Sequence, residues 1–91
     1  MQKRVQVNYS GRVQGVGFRY TARQVAHGFE VVGFVKNLPD GRVEMLLEGD
    51  EEELKKFLRA IGSSDLGTYI RHETATWSDA TGEFREFSIR L

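Results

Sequence analysis

Apolar and polar residues alternate near the start of the chain. Between Arg4 and Tyr9 the apolar residues fall on every second position, which predicts a half-buried strand. After a glycine-rich stretch the apolar spacing changes to three and four residues, which indicates an amphipathic helix. We predict that this helix runs from Phe18 to about His27, because Gly28 stands where helix C-caps are common.

Two further strands and a tight turn are predicted in the middle of the chain. The segment from Val31 to Asn37 is rich in β-branched residues, and Leu38-Pro39-Asp40-Gly41 has the composition of a turn. The alternation resumes at Val43, Met45 and Leu47. These segments together predict a β-hairpin.

A second helix is predicted directly after this hairpin. Asp50 is a suitable N-cap, and the three glutamates that follow it suit the positive end of a helix dipole. The apolar stripe of this helix consists of Leu54, Phe57, Leu58 and Ile61. We expect Gly62 to close the helix.

The last third of the chain has a less regular pattern. Residues 63–67 make a polar connection, Tyr69–Trp77 are expected to be extended, and Asp79–Gly82 supply a turn before a last short strand. We assign Trp77, Phe84 and Phe87 to the core, because aromatic side chains in so small a sheet usually fill the interior.

The order of these elements is strand, helix, strand, strand, helix, strand, strand. Two helices must then cover one face of a mainly antiparallel sheet. The predicted fold is α+β, a ferredoxin-like α/β sandwich in βαββαβ order with a short C-terminal strand. No repeat or linker composition divides the chain, so residues 1–91 are expected to form a single domain.

Composition removes several classes of function. Thirteen Lys plus Arg balance thirteen Asp plus Glu, so the broad positive field of a non-specific polyanion binder is absent. The chain has no cysteine, which excludes disulfides, thiolate metal sites and cysteine nucleophiles. No stretch of about 18 apolar residues occurs, and we expect a cytoplasmic protein.

The glycine-rich segment before the first helix is a candidate anion site. Its amides and the dipole of the helix can converge on one anion, and Arg19 adds a planar fork that matches two oxygens of a phosphate or carboxylate. A tight turn explains the glycines equally well. Tyr20 stands where a dinucleotide fingerprint needs its third glycine, and no Lys-Ser or Lys-Thr follows the glycines, so NAD and ATP are disfavoured.

Asn37 is a second candidate site residue, at the end of the second predicted strand. A turn-forming asparagine is the simpler interpretation, and the alternative is an amide that holds a water molecule beside the bound anion. His27 and His72 have no further ligand at metal spacing, so we predict no metal site.

Two segments of the chain resemble the signature regions of the acylphosphatase family. Gly11–Arg19 reads GRVQGVGFR, and Gly33–Gly49 reads GFVKNLPDGRVEMLLEG. The family carries Gly-x-Val-Gln-Gly-Val-x-Phe-Arg in the first region and Asn, Asp-Gly-x-Val-Glu and a closing Gly in the second. The resemblance implies the same ferredoxin-like fold and hydrolysis of acyl phosphates to a carboxylate and orthophosphate, without a metal or organic cofactor.

The resemblance also implies roles for single residues. Arg19 matches the family's phosphate-binding arginine, and Asn37 matches the asparagine that positions the attacking water. The phosphate cradle corresponds to the backbone amides of Gln14, Gly15, Val16, Gly17 and Phe18. The implied partners are a small-molecule acyl phosphate and the product phosphate, with no nucleic acid and no membrane, and we expect a monomer.

Two other functions stay open at this point. A ferredoxin-like sheet can stack RNA bases, although the third predicted strand has no aromatic residue and carries two acids. A module that senses phosphate without turnover is the other alternative, and we expect an independent enzyme instead for a 91-residue chain. The stretch GSSDLGTYIRHETATWS departs from the family, because it lacks the proline-containing connection that often follows the second helix.

Overall fold

The computed structural model describes all 91 residues. Its helices and strands follow the predicted order: β1 Gln2–Gly11, α1 Phe18–Ala26, β2 Val31–Asn37, β3 Val43–Asp50, α2 Glu51–Ser63, β4 Ile70–Asp79 and β5 Phe87–Arg90. The sheet order is β4-β1-β3-β2-β5, and only the β2–β5 pair is parallel. The ferredoxin-like α+β fold is thereby confirmed. Neither helix is long and apolar enough to cross a membrane.

The hydrophobic core lies between the helices and one face of the sheet. Alternate residues of the two central strands fill the sheet side of this core: Val5, Val7, Tyr9, Val43, Met45 and Leu47. Residues three or four positions apart fill the helix side: Phe18, Ala22, Ala26, Leu54, Phe57 and Ile61. Because each large side chain contributes about 1.5–3 kcal/mol when fully buried, this interface fixes α1 and its preceding loop on the sheet.

The ends of the helices differ slightly from the prediction. α1 ends at Ala26 and is capped by His27. The expectation that Gly62 closes α2 was wrong, because the helix continues to Ser63 and the amide and hydroxyl of Ser64 donate to the carbonyl of Ile61. At the other end of α2 the Asp50 side chain accepts a hydrogen bond from the Glu52 amide, as the sequence predicted.

The polar connection predicted at residues 63–67 is also only partly right. It contains a short 3₁₀ turn, Asp65–Thr68, whose Leu66 is 2% exposed and belongs to the core. A single leucine between polar residues has no periodic pattern, so the sequence does not reveal that it is buried.

The turn predicted at Asp79–Gly82 was wrong. β4 continues to Asp79, and the next residues cross the sheet on the face opposite the helices. β4 and β5 therefore lie at opposite edges of the sheet and do not form a hairpin. We call residues 80–86 the crossing segment.

The crossing segment also changes the placement of the aromatic residues. Trp77 is 39% exposed on the edge strand β4 and is not a core residue. Phe84 packs edge-on against Phe34 on the open face of the sheet, with ring centroids 5.9 Å apart. Of these three residues only Phe87 packs against the main core, and Trp77 stays exposed because β4 is an edge strand.

Candidate active site

A cavity opens beside the carboxyl ends of β1 and β2, which run in the same direction and end on the same side of the sheet. Its volume is about 260 Å³. It is lined by Val13, Gly15, Gly17, Phe18, Arg19, Tyr20, Asn37, Ile89 and Leu91. The fold thus brings five of the predicted site residues together from two segments that are distant in the sequence.

Two glycines give the loop before α1 its shape. Gly15 has φ +79° and Gly17, which is the N-cap of α1, has φ +74°. A residue with a side chain pays about 1–2 kcal/mol in this left-handed region, so glycine is the residue that fits. Val13 is fully buried and Val16 packs against the core, and these two side chains fasten the loop to the domain.

The loop and the first turn of α1 present unused backbone donors. The first helical hydrogen bond runs from the amide of Thr21 to the carbonyl of Gly17, and no side chain caps this helix. None of the turn, loop and cap hydrogen bonds uses an amide of residues 14–20. The first turn also carries no acidic residue. Free amides at the positive end of a helix dipole favour a bound anion.

Arg19 lies in the first turn of α1 with a half-buried side chain. Its guanidinium donates one hydrogen bond to the carbonyl of Arg90 at 3.2 Å and takes part in no ion pair. The ring of the preceding residue, Phe18, packs against Tyr9 with centroids 5.1 Å apart. The start of the helix is therefore held on the sheet, while most donors of the arginine fork stay free for a ligand.

Asn37 is the last residue of β2 and pairs with Val43 of β3. Its half-buried side chain lines the cavity and makes no hydrogen bond to another protein group. Because the amide is not used to form the turn, it is free to hold a water molecule. The turn is closed without it, by a bond from the Leu38 amide to the Arg42 carbonyl at 2.8 Å.

Two of the predicted cradle residues have side chains outside the cavity. The Val16 side chain packs against the core, and the Gln14 side chain donates to the carbonyls of Leu38 and Arg42. Conversely, the sequence analysis did not place Val13, Tyr20, Ile89 and Leu91 in the site, although all four line the cavity. Ile89 reaches the site because β5 pairs in parallel with β2, and no local pattern announces that pairing.

The titratable side chains that line the cavity are those of Arg19 and Tyr20, with no carboxylate or imidazole side chain among the other lining residues. No group of three or more His, Cys, Asp or Glu side chains converges anywhere in the chain. The side chains and amides at this site are therefore suited to binding an anion and a water molecule, and no set of residues is arranged to hold a metal ion.

Residues 5–89 match the family model described as Acylphosphatase. The chain belongs to the acylphosphatase family. It is 35% identical to an acylphosphatase of Caldanaerobacter subterraneus subsp. tengcongensis over 98% of this chain and 99% of that one. It is 46% identical to an acylphosphatase of Bacillus velezensis over 87% of this chain and 88% of that one.

A solved structure gives the same result. The crystal structure of acylphosphatase from Bacillus subtilis matches with a TM-score of 0.89 and 36% identity, over 98% of this chain and 99% of that chain. As a member of the acylphosphatase family the protein is an enzyme that hydrolyses acyl phosphates. The cavity that holds Arg19 and Asn37 is the candidate site for this acylphosphatase reaction.

Proposed function

We propose that the protein cleaves the carboxyl–phosphate bond of its substrate with Arg19 binding the phosphoryl group and Asn37 positioning the attacking water. One observation carries this proposal. Arg19 and Asn37 line one cavity together with the glycine loop before α1, so an anion on the loop lies beside both side chains. The amides of Gln14 to Phe18 complete the proposed phosphate cradle.

The reaction needs few protein groups. The water oxygen forms a bond to phosphorus while the bond between phosphorus and the acyl oxygen breaks, and the electron pair leaves with the carboxylate. Arg19 and the loop amides stabilise the charge on the phosphoryl oxygens, and Asn37 holds the water in line with the breaking bond. The products are a carboxylate and orthophosphate.

The proton balance follows from the groups in the cavity. A carboxylate is a good leaving group and needs no general acid. Since neither a carboxylate nor an imidazole side chain lines the cavity, the proton of the water passes to a phosphoryl oxygen of the substrate. We therefore expect a pH–rate profile without an essential protein group that titrates near neutrality. A bell-shaped kcat profile centred there would contradict this proton path.

The test is hydrolysis of benzoyl phosphate by the purified chain in excess chelator, with Arg19→Ala and Asn37→Ala beside it. We expect both variants to lose activity by a factor on the order of 10² to 10⁴. Inhibition by inorganic phosphate separates the two roles. Arg19→Ala should weaken this inhibition strongly, whereas Asn37→Ala should leave it nearly unchanged.

Matched variants control for general damage. The control variants are Arg23→Ala and Asn8→Ala. Arg23 lies one turn further along α1 and Asn8 lies in β1, and neither side chain lines the cavity. Both should keep wild-type turnover. Wild-type protein that binds phosphate without turnover would favour the sensor function instead, and tight, salt-sensitive RNA binding without hydrolysis would favour the RNA-binding function.

A further inference from the structure

The side chain of Gln14 connects the two halves of the candidate active site. Its Nε2 donates to the carbonyl of Leu38 at 2.8 Å and to the carbonyl of Arg42 at 2.8 Å. Both acceptors are carbonyl oxygens, so the NH₂ side of the amide must face them and both of its hydrogens are used. The side chain does not line the cavity.

No other hydrogen bond joins these two parts of the molecule. Residues 12–17 bond elsewhere only through the amide of Arg12, which donates to the carbonyl of Tyr69 just before β4, and through the carbonyl of Gly17 inside the first turn of α1. The side-chain amide of Gln14 is therefore the one polar group that links the glycine loop to the turn after β2.

The turn that Gln14 contacts is closed by its own hydrogen bonds. The amide of Leu38 donates to the carbonyl of Arg42, and the amide of Gly41 donates back to the carbonyl of Leu38. The carboxylate of Asp40 also accepts hydrogen bonds from the amide and the guanidinium of Arg42. A shift of this closed turn away from the loop is carried directly to Asn37, the residue before Leu38.

We propose that Gln14 is a positioning residue, which holds the phosphate loop and the Asn37 turn at the separation that the reaction needs. The inference rests on the proposed function of Arg19 and Asn37. Gly15 follows Gln14 directly and Asn37 precedes Leu38 directly, so the hydrogen bond from Gln14 to Leu38 lies one residue from a cavity residue at both of its ends. A misplacement of about 1 Å between a bound phosphoryl group and its nucleophile can cost roughly 10²-fold in rate.

This role predicts a split between chemistry and binding. The loop amides and Arg19 hold the phosphate without help from the turn, so loss of the Gln14 bonds should leave phosphate affinity almost unchanged. The position of the water relative to that phosphate should suffer. If Gln14 only stabilised the fold, its replacement would lower the free energy of unfolding without a selective effect on kcat.

The experiment compares Gln14→Met with Gln6→Met. The side-chain amide of Gln6 also donates a hydrogen bond, to the Glu44 carboxylate at 2.6 Å. This bond lies on the face of the sheet opposite the helices, away from the cavity. We expect Gln14→Met to lower kcat for benzoyl phosphate by roughly 10- to 100-fold, with the inhibition constant of inorganic phosphate changed less than about threefold. Gln6→Met should keep kcat.

A double-mutant cycle with Asn37→Ala tests how Gln14 acts. If Gln14 works through the water on Asn37, Gln14→Met should cost little more once that side chain is gone. Additive losses in the two backgrounds would overturn the inference. Active wild type, an impaired Asn37→Ala and an unimpaired Gln14→Met would overturn it while the proposed function stands, whereas a fully active Asn37→Ala would overturn the proposed function itself.

Gln14→Glu provides a second test, which can be used if the methionine variant folds poorly. An ionised carboxylate here faces two carbonyl oxygens and repels them, but the protonated form donates to one of them. The kcat ratio of this variant to wild type should therefore fall as the pH rises through the range where the introduced carboxyl ionises. A ratio that stays constant with pH would contradict the positioning role.

Discussion

Two half-buried arginines in this molecule have opposite surroundings. Arg4, on the open face of the sheet, donates to the carboxylate of Glu48 at 2.7 Å, to the Thr81 hydroxyl at 3.0 Å and to the carboxylate of Glu83. Arg19, in the cavity, donates to one backbone carbonyl and to no carboxylate. The Nε and Nη2 donors of the first arginine are occupied by the chain, and the second arginine keeps most of its donors for a ligand.

The partners of these arginines repeat the contrast. The Glu48 side chain is 3% exposed and also accepts from the amides of Thr81 and Gly82. Burial raises the pKa of Glu48, but the hydrogen bonds from these two amides and from Arg4 outweigh it and lower the pKa to about 2. In the cavity the amides have no such acceptor. Hydrogen bonds between paired polar groups hold the crossing segment on the sheet, and the unpaired donors of the cavity are suited to binding an anion.

The largest effects on activity and stability are expected from two single variants, in which Arg19 or Arg4 is replaced by methionine. Arg19→Met should lower kcat/KM by about 10³-fold with little change in the urea midpoint, because Arg19 makes no ion pair. Arg4→Met should do the reverse and destabilise the fold by about 2 kcal/mol or more, since Glu48 loses a charged partner. Kinetics and urea unfolding of both variants measure this, and a large loss of activity in a folded Arg4→Met would break the comparison.

A smaller effect is expected from Glu48 and should depend on pH. Because the folded pKa of about 2 lies below the ordinary 4.5, the ionised carboxylate contributes on the order of 3 kcal/mol above pH 4.5. This stability is lost as the pH falls from about 4.5 towards 2. Glu48→Gln should therefore be less stable than wild type at pH 7 and approach it below pH 3. Urea unfolding at several pH values measures the difference.

Glu52→Gln is the control for this prediction. The Glu52 side chain is 70% exposed on α2, with Lys55 3.7 Å away, and an exposed ion pair contributes less than about 1 kcal/mol. Its unfolding free energy should follow that of wild type throughout. Equal pH dependence in the two variants would show that Glu48 does not fasten the crossing segment.

The smallest effect concerns two glycines with equal space around them. No atom lies within 4 Å of a Cβ added at Gly15 or at Gly62, but only Gly15 has a positive φ. Gly15→Ala should cost about 1–2 kcal/mol and weaken phosphate inhibition as the loop shifts. Gly62→Ala, inside α2, should stabilise by about 0.5–1 kcal/mol. Unchanged phosphate inhibition in Gly15→Ala would argue against the cradle geometry.

The sequence determined the elements and much of the site. Alternation in β1 and β3, three-and-four spacing in the helices and the Asp50 cap are local features, since a half-buried strand and an amphipathic helix each need their own period. The glycines before Arg19 likewise indicate the special backbone angles that the structure contains. These features require no knowledge of which elements become neighbours.

Only the tertiary structure decided how the last third of the chain is used. Trp77 is exposed because β4 forms an edge that the helices do not cover, and Phe84 packs on the face opposite the helices because it belongs to the crossing segment. The bond between Gln14 and the turn after β2 also joins residues that are far apart in sequence. Contacts of this kind depend on which strands pair across the sheet, and that pairing is set by burial of the whole core and not by any local pattern.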